Sequence, residues 1–87
     1  MGEPRISPTA ATIITLLNNI DELIVVSNKR KEASDVMRAL TIYADNLNFG
    51  LPKDKINNFQ AVLLDSRPMT LSYILQDIAA SVIEKDK

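Results

Sequence analysis

The sequence predicts an all-α fold: a compact four-helix bundle or an orthogonal four-helix array. Three observations lead there. Apolar residues recur at three- and four-residue steps in four separate segments, the spacing that lines one face of a helix. Proline, glycine and polar clusters separate those segments, and no Gly or Pro falls within them. No segment alternates with period two, and no Asn-Gly or Asp-Gly pair marks a hairpin.

The first helix is expected near 8–26. Ser7-Pro8 supplies a cap residue and a proline suited to a first turn. Eleven apolar residues lie between Ala10 and Val26, including Ile13, Ile14, Leu16, Leu17, Ile20, Leu23 and Ile24. Their arc is wider than the stripe of about 100° that a single neighbour requires. This helix is therefore either the central helix of a monomer or the carrier of a dimer or partner face. The second helix is expected near 29–48, on the stripe Ala33, Val36, Met37, Leu40, Tyr43, Ala44, Leu47. The polar run Ser27 to Glu32 predicts a turn before it, although it holds no Gly or Pro. One continuous helix from Pro8 to Asn48 is the competing reading.

Gly50 fits a left-handed stop after that stripe. The third helix is expected near 53–65 with a narrow stripe of Ile56, Phe59 and Leu63, and Val62 and Leu64 to either side. Ser66 to Thr70 forms the last break. The fourth helix is expected near 69–85, on Leu71, Ile74, Leu75, Ile78, Ala79 and Val82. Short connections favour antiparallel neighbours. The chain forms one helical domain, with residues 1–6 as a disordered or extended arm and 86–87 as a frayed end. Leu17, Ile20, Leu40, Leu47, Phe59, Ile74 and Ile78 are the expected core.

Composition narrows the chemistry. The 87 residues contain no Cys, His or Trp, and ten basic against eleven acidic side chains leave a net charge of −1. Without His or Cys there is no imidazole base, no cysteine nucleophile and no preferred zinc ligand. The two glycines, Gly2 and Gly50, form no phosphate loop, and no acidic loop matches a calcium site. No enzyme, metal or cofactor is expected. Near-neutral charge also argues against a nucleic-acid partner. Residues 9–26 have the length of a membrane span, but Asn18, Asn19, Asp21 and Glu22 within them would be costly in hydrocarbon. Nothing in Met1–Pro8 resembles a secretory signal. A cytoplasmic protein without a membrane span is the expectation.

The candidate partner contacts are Ile42, Phe49, Leu51, Tyr73 and Arg38. Ile42 lies off the second helix's stripe, near Arg38. With Phe49 and Leu51 it forms a small apolar patch, unless those two cap the core at the turn. Tyr73 lies among Asp77, Ala80 and Glu84 on a polar face, and tyrosine is enriched in contact hot spots. Lys29-Arg30-Lys31 is the one basic run. It either touches phosphate or an acidic partner, or stays solvated beside Glu32 and Asp35. Asp21 falls inside the apolar arc of the first helix. It either stays solvated at the rim or, if buried, takes a partner such as Arg38 or the Lys29–Lys31 run.

The string Leu16-Leu17-Asn18-Asn19-Ile20-Asp21-Glu22-Leu23-Ile24, opening a four-helix chain of this size, resembles the small four-helix immunity proteins that protect bacteriocin producers. The chain departs from them in lacking their basic character. The resemblance implies a protein that acts by binding another. The leading expectation is accordingly a small non-enzymatic protein–protein interaction module: a bacterial or phage regulator, inhibitor or immunity-type protein, and a homodimer. The alternative is a dimeric helix-turn-helix-like DNA-binding regulator, with Lys29, Arg30, Lys53, Lys55 and Arg67 near phosphate.

Overall fold

Four stripes with breaks between them give four α-helices. The computed structural model describes residues 6–86, in the order α1 (Pro8–Val25), α2 (Arg30–Asn46), α3 (Lys53–Val62) and α4 (Pro68–Asp86). No strand occurs among the described residues. Residues 1–5 of the expected arm, and Lys87, lie outside them.

Each break has a local cause. α1 and α2 are separate helices, because Asn28 adopts a left-handed conformation (φ 53°), which asparagine tolerates better than most residues. The amides of Asn28 and Lys29 turn back to the carbonyls of Ile24 and Leu23. The stop after α2 is a correction: Asn48 (φ 57°), not Gly50, takes the left-handed position. The Asn48 amide donates to the Asp45 carbonyl and the Phe49 amide to Ala44, at 3.1 and 2.9 Å. That pair of bonds is a Schellman closure. Gly50 serves otherwise: a Cβ there would sit 3.0 Å from Lys85 Nζ, so the missing side chain lets Lys85 pass.

The early stop also corrects the core. Leu47 was expected inside and is 50 % exposed. The chain leaves the helix at Asn46, so Leu47 no longer follows the stripe Ala33, Met37, Leu40, Ala44 inward. Leu51 is buried in its stead, and Phe49 packs against the core. Leu17, Ile20, Leu40, Phe59 and Ile78 are buried as expected, and Ile74 packs against them half-buried.

The helices run up, down, up, down. α1 packs against both α2 and α4, and α3 against α4. Ser34 on α2 is bonded to Gln60 on α3, which closes the fourth side. Two flanking helices account for the wide apolar arc of α1: Ala10, Ile13, Leu17, Ile20 and Ile24 are buried, and Ile14, Leu16 and Leu23 pack beside them.

One tie joins the two ends of the chain. Ser7 Oγ accepts from the Ala10 amide at 3.2 Å as the α1 cap. Ser7 also donates from its amide (2.9 Å) and its hydroxyl (2.8 Å) to the Asp86 carboxylate. These bonds, the amide's foremost, hold the Asp86 carboxyl below its ordinary range. α1 has no acidic residue in its own first turn, and Asp86 supplies a negative charge at that N-terminus from α4. Asp86 is helical and bonded.

Candidate partner-binding surface

The five residues singled out as partner contacts do not form one patch. Leu51 is buried, the alternative in which it caps the core at the turn, because the early turn at Asn48 folds it over the core. Phe49 is half-buried against the same core. Ile42 and Arg38 remain together on the open face of α2, one turn apart. Tyr73 is exposed on α4, which α1 and α3 separate from α2.

The basic run divides by role. Arg30 is a structural brace. Its Nη1 donates to the carbonyls of Leu63 and Ser66, both at 2.6 Å, and its Nε donates to Asn28 Oδ1 at 3.2 Å. The carbonyls at the end of α3 have no intrahelical partner, so the guanidinium caps α3 from another helix. Lys29 stands 3.9 Å from Glu32. Lys31 is exposed with no ion pair among the described residues. Of the other cations considered for phosphate contact, Lys53 pairs with Asp45 at 3.4 Å. Lys55 meets Asp77 at 3.2 Å and Ser81 Oγ at 2.8 Å. Lys53 lies beside the end of α2 and Lys29 at its start, about 25 Å apart at helical rise. These cations do not make a single stripe.

Asp21 is half-buried and finds a partner the sequence did not suggest: Ser72 Oγ on α4 donates to it at 2.7 Å. This bond places the last turns of α1 beside the first turns of α4. The Arg30 brace places the start of α2 on the α3–α4 turn. Together they fix what meets at this end of the bundle.

Sequence reasoning missed that end. The three most exposed large apolar side chains of the described residues are Val26 (77 %), Leu64 (71 %) and Met69 (69 %). They lie at the end of α1, just after α3 and at the start of α4, so all three occupy the same end, with Val25 also exposed beside them. The available signal was positional: each is an apolar residue next to a break and off its helix's stripe.

A second feature is the α2–α3 seam. It is an open groove of about 460 Å³ lined by Arg30, Lys31, Ser34, Arg38, Gln60 and Leu64, among others. Ser34 Oγ donates to Gln60 Oε1 at 2.8 Å, and Gln60 Nε2 donates to the Ser34 carbonyl at 3.2 Å. No group of His, Cys, Asp or Glu among the described residues is placed to hold a metal ion. No helix among them is long and apolar enough to cross a membrane. Comparison with family models, curated proteins and solved structures gives no match.

Proposed function

We propose that this chain is a small non-enzymatic interaction module, of the regulator, inhibitor or immunity-protein kind, that acts in the cytoplasm by docking a partner protein on the end of the bundle bearing Val26, Leu64 and Met69. The observation that carries the reading is the gathering of those three side chains at one end. Apolar residues scattered singly are ordinary on a protein surface, whereas several gathered in one region are a candidate contact site. The polar bonds at this end, those of Arg30 and of Asp21 with Ser72, leave the three apolar side chains exposed.

The test is site-specific photo-crosslinking in the native host. A crosslinker at Leu64 or Met69 is expected to trap a discrete protein, and one at Ala11, on the exposed face of α1, is expected not to. Equal, diffuse labelling from all three positions would refute the reading. A homodimer through this same end is the second reading, favoured by Val25 and Val26, the part of the α1 apolar run that neither α2 nor α4 covers. Each 100 Å² of apolar surface withdrawn from water is worth about 2.5 kcal/mol. Sedimentation equilibrium decides it: a mass fixed at 9.7 kDa at every concentration rules the dimer out.

A further inference from the structure

We infer that the α2–α3 seam receives an acidic amphipathic helix of the partner protein, with two carboxylates meeting Lys31 and Arg38 and an apolar side chain covering Leu64. This deepens the interaction-module reading and rests on it.

The seam is marked by an open groove between the two helices. Polar side chains bridge it, through the Ser34–Gln60 pair and the Arg30 brace. Those groups are already satisfied, so they form the floor of the groove and leave its upper edge to others. The edge carries Lys31 and Arg38 on α2, and Leu64 stands exposed at one end. Lys31 has no ion pair among the described residues, and Arg38 meets only Asp35, at a loose 3.9 Å with both side chains exposed. Arg30, Lys31 and Arg38 against the single acid Asp35 make the groove positive on a chain whose net charge is −1. Complementary charge selects an acidic partner and steers its approach.

The spacing selects the shape of that partner. Lys31 and Arg38 are seven residues apart on one helix, hence on one face and about 10 Å apart along the axis. A helix lying along the groove presents carboxylates at the same interval when two acids stand seven positions apart. Leu64, beside the Lys31 end of the seam, then takes an apolar residue flanking the nearer acid. This is helix-in-groove recognition with an electrostatic edge.

The experiment is a phage-displayed library of peptides of about 15 residues, near the length at which an isolated helix begins to form, selected on the whole chain. Enriched peptides are expected to carry two acids seven positions apart and a large apolar residue near one of them. A synthetic enriched peptide should bind K31E/R38E about tenfold more weakly than the parent, two reversed rim charges being involved. Should that variant fold poorly, nitrogen-15 NMR on the unaltered chain decides, with peptide-induced shifts expected at Lys31, Ser34, Arg38 and Leu64. Enriched peptides without acid preference, or with shifts confined to Val26 and Met69, overturn the seam and leave the module reading intact. Failure to enrich any peptide overturns both. Salt-sensitive binding of random duplex DNA below the concentration needed by any enriched peptide overturns the acidic-helix proposal in favour of a nucleic-acid partner.

Discussion

Replacing Arg30 with methionine keeps an unbranched apolar stem and removes the brace between α2 and the α3–α4 turn. Two carbonyls, those of Leu63 and Ser66, lose a cationic donor held at 2.6 Å from each. A hydrogen bond to a charged group contributes about 1.5–3 kcal/mol. Both carbonyls share one nitrogen in part-buried bonds, so the pair is counted as one such bond, giving a loss of about 1.5–3 kcal/mol. A chain of 87 residues has a total stability of about 4–13 kcal/mol, so the loss is a sizeable fraction of it. In a domain of this size it lowers the melting temperature by about 6–24 °C. Urea unfolding followed by far-ultraviolet circular dichroism measures it. The neighbour Lys31 is the control: it makes no bond among the described residues, and K31A is expected to stay within about 0.5 kcal/mol of the parent. A loss below about 0.5 kcal/mol for R30M, or equal losses for R30M and K31A, would refute the assignment of Arg30 to the fold and return it to the solvated run.

The remaining predictions concern the core, the helix stop and the tie between the chain ends. L40A and I78A, at fully buried sites, should each cost about 2–5 kcal/mol, while L47A, at a half-exposed site, should cost under about 1 kcal/mol; equilibrium unfolding of the three compares them. N48A should destabilise by about 1 kcal/mol because alanine resists a left-handed φ. G50A should be neutral or slightly stabilising, since Gly50 lacks a positive φ and only the flexible end of Lys85 must move; the reverse order would restore Gly50 as the stop. Asp86 is more acidic folded than unfolded, so it contributes stability above the ordinary aspartate range, lost as pH falls through its folded value. Melting curves of the parent should therefore show an acid-limb decline that D86N and S7A both reduce.

How much was legible in the sequence depends on the scale of the feature. Helix number, order and approximate bounds followed from periodicity, because Met37, Leu40 and Ala44, or Leu71, Leu75 and Ile78, repeat along whole segments and are buried. The stop of α2 did not, because both Asn48 and Gly50 suit a left-handed turn and only the tertiary path chooses between them. That one choice decides three residues: Leu47 turns outward while Phe49 and Leu51 turn in. For the candidate site the limit was pairing between distant segments. The Arg30 bonds span 33 and 36 positions and the Asp21–Ser72 bond spans 51, so no local pattern carries them. Ile42, Arg38 and Tyr73 were correctly placed outside, since each lies off its apolar stripe. The end bearing Val26, Leu64 and Met69 was not legible, because these residues stand at the ends of three different helices and share one end of the bundle only once the helices alternate in direction.

The most direct test of the central claim is the triple variant V26S/L64S/M69S, measured for folding and for partner capture in the same preparation. These side chains lie largely outside the packed core, so unfolding free energy should change little, by about 0.5 kcal/mol or less for each surface replacement. The protein crosslinked from the parent through a probe at Arg67, within the same end, should no longer be trapped. A variant that melts like the parent and still captures the same protein in equal yield would contradict the claim that this end is the docking surface.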